Sequence, residues 1–302
     1  MGGVGLVLEA LACPVCGGPL AMSDAAGPAL VCPAGHAFNL ARSGYASLVV
    51  GGARPHSADS SAMLAARESF LSSGHYQPIA AAVAGAVAAG LAALVEPAPG
   101  AARGTGRATG GLVLDLAGGT GYYLAAALEA CADARGLVLD LSAAAARRAA
   151  RRHPRAAAAT ADAWGRLPLA DASVSHAISV FGPRGASELA RVLAPGAGLT
   201  VVTPTDRHLA QLRAGSWLVG IGGGKTAKLD RALVGFGLTG RRVLEYDVSL
   251  AQTQAVDLVM MGPNAFHLER AAVEARLAAR DWPLALTVSV LVSRYRRGPE
   301  RN

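Results

Sequence analysis

The sequence predicts an α/β protein, an open sheet of parallel strands covered by helices, preceded by a small metal-binding module. Three observations carry this. Beyond residue 111, apolar runs of strand length alternate with helical segments at the spacing of βαβ units. The first of those runs ends in a glycine turn, Ala117-Gly118-Gly119-Thr120-Gly121. Near the start of the chain, three cysteines and a histidine stand in two close pairs.

With 302 residues there is room for two domains, or for one α/β domain and an attachment. A hydrophobic content of 52% with 16% charged residues excludes a disordered or collagen-like chain. Up to residue 55 the chain is short apolar pieces broken by Pro and Gly. From Asp59 it turns helical, with Ser60 as N-cap, Met63, Leu64, Phe70 and Leu71 on one face, and Gly74 past the end. A second helix follows Pro78. Its uncharged stretch Ile79–Val95 raises the membrane question, because the mean hydropathy is +0.34. The stretch is shorter than the ~20 strongly apolar residues a span needs, and its larger residues form one stripe (Ile79, Val83, Val87, Leu91, Leu94, Val95), so it is expected to be a core helix. The apolar first ten residues lack the basic start of a secretion signal, so a cytoplasmic location is expected. Pro97–Gly111 has no apolar periodicity and sets a domain boundary. The expected domains are 1–55, a metal-binding module; 56–100, a helical connector; and 101–302, the α/β domain.

In that domain, strands are expected at Leu112–Leu116, Leu137–Leu141, Ala156–Thr160, Val174–Val180 and Leu199–Val202. Helices are expected at Tyr122–Ala134, Ser142–Arg152 and Gly185–Leu193. Two further strands, Val243–Val248 and Ala285–Val292, flank a helix near Ala271–Ala279.

Cys13-Pro-Val-Cys16 and Cys32-Pro-Ala-Gly-His36 together read C-x2-C-x15-C-x3-H. Two close pairs of thiolate and imidazole ligands on turns are what a tetrahedral zinc ion takes up, and Pro14, Gly17, Pro33 and Gly35 favour such turns. With all four ligands from protein, the ion is structural. Cys131 falls on a helix and reads as a buried small hydrophobe.

The glycine turn follows Asp115 at the end of the first strand. The dinucleotide pattern G-x-G-x-x-G fails, because Leu124 stands at its third glycine. S-adenosylmethionine has no pyrophosphate and does not need that third close approach. Asp140 ends the next strand, where a carboxylate can accept hydrogen bonds from ribose hydroxyls, and Asp162 after the third strand can meet the adenine edge. Three strand ends in series point to a class I (Rossmann-like) S-adenosylmethionine-dependent methyltransferase. Downstream, Gly220 to Thr226 imitates a P-loop but has three residues rather than four between its outer glycines, and is read as a mobile loop.

With both motifs in one chain, the sequence resembles the RlmA/TlrB family of 23S rRNA (guanine-N1)-methyltransferases almost from end to end. The segments that carry the resemblance include Cys13-Pro-x-Cys16, Cys32-Pro-x-Gly-His36-x-Phe38-Asn39, Asp59-Ser60-x-x-Met63-x-x-Ala66-Arg67, Gly74-His75-Tyr76-x-Pro78, Asp115–Tyr123, Glu188–Gly196 and Thr203-Pro-x-x-Arg207-His208-Leu209. The resemblance implies zinc at Cys13, Cys16, Cys32 and His36. It implies S-adenosylmethionine contacts at Tyr76, at the turn with Gly119 and Gly121, at Tyr123 and Leu124, and at His208. It also implies a guanine in a 23S rRNA hairpin at the peptide exit tunnel as acceptor, and resistance to macrolides such as tylosin and mycinamicin. Two positions depart from the family pattern: Ala117 replaces the usual first glycine, and Asn39 stands where relatives often have Asp.

Attack of guanine N1 on a methyl sulfonium requires loss of the N1 proton and in-line placement. Asp59, Glu68, His75 and His208 are candidates for the base, each with a capping, surface or cofactor-contact role as the alternative. Phe181, after the fourth strand, sits where an acceptor base would stack, with a core position as the alternative. A net charge of +7 permits a polyanionic partner. Arg42 and Arg54, beside the zinc ligands, are the expected phosphate contacts, whereas Arg147, Arg148, Arg151, Arg152 and Arg155 read as a solvated helix face. Two alternatives stand beside the rRNA reading: a methyltransferase for another RNA or a small molecule, and a zinc-dependent binding module on a degenerate fold. A homodimer is left open.

Overall fold

The computed structural model describes residues 3–25, 27–51, 58–95, 110–213 and 225–298. Arg54, Gly220–Gly224 and residues 96–109 of the expected linker lie outside them.

The chain opens with a 3-10 turn, Val4–Ala10, and a three-stranded antiparallel sheet of β1 (Ala21–Ser23), β2 (Ala29–Val31) and β3 (Ala37–Asn39). Then come β4 (Ala46–Ser47), α1 (Ser61–Ser72), α2 (Gln77–Val95), β5 (Leu112–Leu116), α3 (Tyr122–Ala130), β6 (Arg135–Asp140), α4 (Ala143–Ala149), β7 (Ala156–Thr160), β8 (Val174–Val180), α5 (Ala186–Val192) and β9 (Leu193–Pro204). The chain ends with α6 (Ala210–Arg213), α7 (Lys225–Ala232), β10 (Phe236–Leu250), α8 (Gln252–Met260), α9 (Arg270–Ala278) and β11 (Leu284–Arg297).

Eight strands form the main sheet in the order β10-β11-β9-β8-β5-β6-β7-β4. From β4 to β9 all pairs are parallel, and β11 joins β9 and β10 antiparallel. The chain passes from β5 outward through β6 to β7, then returns to β8 on the other side of β5. That reversal leaves a crevice at the carboxyl ends of β5 and β8, the place where open α/β sheets bind ligands. Alternation along the strands divides the core. Leu112, Leu114 and Leu116 face a layer shared with Val4, Val7 and Leu11, while Val113 and Ile178 face Phe70, Ile79, Val83 and Val87.

The expected ends of α1 hold: Ser60 accepts a hydrogen bond from the Met63 amide at 3.2 Å, and Gly74 has φ +84°. The helix after the glycine turn stops at Ala130, earlier than the apolar pattern suggests. The Arg155 guanidinium collects the carbonyls of Leu128, Cys131 and Ala134 there and turns the chain into β6. Cys131 is half-buried rather than core. The antiparallel strands run well past their apolar runs, because β10 and β11 pair with each other along nearly their whole length and ladder hydrogen bonds do not require apolar side chains. Helix α8 was not expected from the sequence; Ala255, Val256, Leu258 and Val259 bury it. The metal-binding segment is sewn to the main sheet: β4 pairs with β7, and the Leu48 amide donates to Thr160 Oγ1 at 3.1 Å.

Among the described residues one helix, over Gln77–Leu94, is long and apolar enough to cross a membrane. Its stripe Ile79, Val83 and Val87 is fully buried, and it packs on α3, β8 and β9 as the expected core helix. Gly90 is the point of closest approach, since a Cβ there would lie 2.3 Å from Nδ1 of the buried His176. Alanine is better than glycine in a helix by ~1 kcal/mol, but overpacking a core costs ~1–3 kcal/mol. Gly90→Ala is therefore expected to lower the thermal midpoint by a few degrees; an unchanged midpoint would show that His176 can move aside.

Candidate functional site

A cavity of about 490 Å³ opens at the carboxyl ends of β5 to β8. Its floor is acidic. Asp115 lies one residue before the end of β5, Asp140 ends the neighbouring β6, and both are buried. Asp140 is well held: Oδ2 accepts from the Gly119 amide and Oδ1 from the Ser142 amide, each at 2.9 Å. Burial raises its pKa above the usual carboxylate value, and those two amides pull it back. Asp115 has no comparable support. Its Oδ2 is buried without a partner, and burial, reinforced by the charge of Asp140 and only partly offset by the Leu124 amide, pushes it up to about 7.

The glycine turn is shaped around these carboxylates. A Cβ at Gly118 would stand 2.5 Å from Asp115 Cγ, so no larger residue fits beneath that carboxyl group. Gly121 takes φ +74° to start α3. Ala117 adopts φ +54°, in the left-handed region where a glycine is most comfortable. Phe181 (φ +57°) and Leu209 (φ +52°) do the same, and all three line the cavity. Strained non-glycine backbone gathered at one cavity marks it as a place where geometry is held against local preference.

Arg67 of α1 closes one wall. It pairs with Asp59 at 2.6 Å and donates to the Met261 carbonyl at 2.8 Å, and its Nη1 would lie 2.7 Å from a Cβ on Gly119. The opposite wall is aromatic. Tyr76, buried, has its hydroxyl 3.3 Å from His208 Nε2, and its ring lies 6.3 Å from that of Phe181. His208 Nδ1 accepts from the Ser289 amide at 3.2 Å, which leaves Nε2 as the protonated nitrogen facing Tyr76. Burial, with Arg213 nearby, lowers His208 to about 4, so the ring is neutral at pH 7.

The structure brings Tyr76, Asp115, Tyr123, Asp140, Asp162, Asp59 and His208 to the cavity. Leu124 is not there: its side chain is fully buried in the core against Gly136. Gly119 and Gly121 face Arg67 and Val138 respectively, while Gly118 and Thr120 line the space. His75 lies outside the lining with Nε2 buried and unpartnered, and Glu68 is paired with Arg148 at 2.9 Å. Sequence reasoning missed Arg67, Trp164, Arg213 and the Leu258–Asn264 rim. Only Trp164 gave a signal, an aromatic two residues past Asp162.

The second cluster lies within the N-terminal segment. Cys13 and Cys16 sit on a turn closed by Gly17 N–H to the Cys13 carbonyl at 2.8 Å, and Cys32 and His36 on one closed by Gly35 N–H to the Cys32 carbonyl at 2.9 Å. The four ligand atoms lie within 4.8 Å of one another. Cys16 and Cys32 sulfurs are 3.7 Å apart, and His36 Nδ1 is 3.3 Å from Cys32 and 3.6 Å from Cys13. A tetrahedron with Zn–S bonds of ~2.3 Å has S···S edges of ~3.8 Å, so the Cys3His set fits a structural zinc ion.

Residues 113–196 match a family model described as a methyltransferase domain. Together with the sheet order and the crevice, this makes the protein a class I, S-adenosylmethionine-dependent methyltransferase. Two relatives extend the match to the whole chain. One, from Micromonospora griseorubida, carries the name "Putative 23S rRNA (guanine-N(1)-)-methyltransferase" and is 46% identical over 96% of this chain and 98% of its own. Another, from Streptomyces fradiae, is a 23S rRNA (guanine(748)-N(1))-methyltransferase, 38% identical over 94% of this chain and 95% of its own. The chain belongs to the family of 23S rRNA (guanine-N1)-methyltransferases. Among solved structures, one from Bacillus halodurans covers 63% of this chain and 93% of its own at 14% identity and a TM-score of 0.44.

The titration of Asp115 is testable without any ligand. Its folded value of about 7 exceeds the ~3.9 of an unfolded aspartate. Stability it leaves intact below pH ~4 is therefore lost as pH rises toward 7. Asp115→Asn should flatten that decline and raise the thermal midpoint most at pH 8; parallel curves for the two proteins would refute the assignment.

Proposed function

We propose that the protein transfers a methyl group from S-adenosylmethionine to N1 of a guanine in a 23S rRNA hairpin. The observation that carries the substrate is the near full-length identity to two relatives bearing that name. The geometry supports the cofactor: an acidic floor with one unpartnered carboxylate oxygen suits an ammonium group, and an amide-braced carboxylate beside it suits ribose hydroxyls. When bound, S-adenosylmethionine supplies an electrophilic methyl group. Asp115, Asp140 and Asp162 would hold it, with Tyr76, Tyr123 and His208 enclosing it and Gly118 and Thr120 giving the backbone close approach. Phe181 would stack on the guanine.

For the N1 proton, His208 is a poor acceptor, because its Nδ1 already takes the Ser289 amide and its Nε2 carries a proton. His75 and Glu68 do not line the cavity. Asp59 is left as the carboxylate on the cavity wall best placed to accept it, held by Arg67. Alignment of the two reacting atoms supplies much of the acceleration.

Residues 1–55 would present the hairpin, with Arg42 on phosphate. Residues 56–100 would serve as a connector that lends Arg67 and Tyr76 to the cavity. A methyl on N1 removes a donor from the guanine edge and adds bulk, so a drug seated beside that hairpin loses contacts or space. Macrolide resistance follows as a consequence.

The test is mass mapping of 23S rRNA after incubation with protein and cofactor. One methyl at guanine N1 is expected, and its expression in a sensitive host should raise inhibitory concentrations of tylosin or mycinamicin. Methylation of another base or of no RNA would refute the reading, while methylation without resistance would refute the consequence alone. Asp140→Ala should weaken cofactor binding roughly 10- to 150-fold in calorimetry, the worth of ~1.5–3 kcal/mol for a charge-assisted hydrogen bond. Purified protein should hold one zinc per chain. Cys13→Ala should lose it and loosen the N-terminal module while cofactor affinity stays measurable.

A further inference from the structure

Trp164 is the most exposed large apolar side chain among the described residues, 79% accessible, yet it lines the catalytic cavity. It stands on the loop that leaves β7. That loop is not loose: the Trp164 amide donates to Asp162 Oδ1 at 2.9 Å, and the Gly165 amide to the Asp162 carbonyl at 3.1 Å. It abuts the loop leaving β8, since a Cβ on Gly185 would touch the Ala163 carbonyl at 4.0 Å. Phe181 belongs to that second loop. Its ring leans inward, 5.7 Å from His208 and 6.3 Å from Tyr76, and is 41% exposed.

The mouth of the cavity therefore carries two aromatic rings on neighbouring loops, one inside and one outside. An indole left in water on a pinned backbone contributes nothing to the core, and it offers a flat face at little entropic cost because its loop is already ordered. The inner ring accounts for one base. A nucleotide drawn into the cavity leaves its neighbour unstacked, and the outer ring lies where that neighbour would emerge.

We propose that Trp164 is a stacking platform for the nucleobase next to the methylated guanine, a positioning residue that holds the RNA loop open while the target occupies the cavity. This rests on the rRNA reading above for its substrate class. The side chain grips a base by its π-face, so it adds affinity for unpaired RNA with little preference for base identity.

The experiment uses the full zinc-loaded chain and a synthetic RNA hairpin with guanines in its loop. Binding is followed by tryptophan fluorescence and by anisotropy of a labelled RNA, alongside calorimetry of S-adenosylmethionine. Hairpin binding should quench the parent. Trp164→Ala should weaken RNA affinity and raise KM for RNA roughly 5- to 100-fold, with kcat at saturating RNA and cofactor affinity near the parent's. Trp164→Phe should recover most of the loss, a rescue that a merely folding-related role would not show. Equal RNA affinity in parent and Trp164→Ala would overturn the proposal. So would a loss confined to cofactor affinity, which would make the indole a cover for the adenine. Trp164-dependent binding with the methyl on some other base would uphold the platform and defeat the guanine-N1 reading, so the two can fail separately.

Discussion

Two carboxylates that fold into the interior side by side are the constraint around which this molecule is arranged. Asp115, one residue before the end of β5, and Asp140, at the end of the adjacent β6, are both buried beneath the cavity floor. Burying charge is costly unless it is neutralised or hydrogen-bonded, and the two are treated differently. Asp140 is braced by the amides of Gly119 and Ser142, one from the glycine turn and one from the start of α4. Asp115 is left short, with an unpartnered oxygen. An acidic group prepared but not satisfied is what a cationic ligand completes, and the cost of folding around it is recovered on binding.

The surrounding elements follow from that arrangement. Gly118 must lack a side chain because the Asp115 carboxyl group occupies its space, and Ala117 accepts a left-handed backbone so that the turn can pass over the strand end. Arg67 brings positive charge to the same corner, and by reaching Asp59 and the Met261 carbonyl it ties α1 and the end of α8 to the glycine turn. Residues far apart in the chain are thereby held in one wall. On the opposite side Tyr76 and His208 are locked by a hydrogen-bond chain that ends on the Ser289 amide of β11, so the antiparallel end of the sheet supports the cavity as well as closing the fold.

Alanine and glycine do unusual work in the packing. Strand β7 has four successive buried alanines, and α4 buries three more against it and β6. Small side chains bring helix and sheet close, which gives dense packing with little area per residue and leaves almost no slack. Gly90 and Gly198 flank His176 so tightly that a single methyl group at either would collide with the ring. A buried imidazole held by Thr200 and depressed to about 3 by burial is a structural element of this sheet rather than a reactive one.

Much of this was legible in the chain, for physical reasons that can be named. Strands β5, β7 and β8 begin and end where the sequence pattern places them, because buried parallel strands are short runs of mostly small and apolar residues. The Cys3His cluster was legible because two close pairs of such residues on turns is a spacing that the sequence alone encodes. The acids that line the cavity were legible because they stand at or just past the ends of apolar runs, where an open α/β sheet leaves its crevice. The β10–β11 pair outran its apolar pattern, since backbone pairing on a half-exposed face leaves little trace in hydropathy, and α8 was missed altogether. Leu124 occupied a motif position yet turned inward to the core, and Gly119 and Gly121 shaped a cavity that Gly118 and Thr120 line. Arg67, Asp59 and Met261 meet only because α1 and α8 pack together. Motif and periodicity determine local structure and the chemistry at strand ends. Which side chains converge on the cavity, and which of their atoms remain unsatisfied, depends on contacts between segments nearly two hundred residues apart, and only tertiary packing decides those.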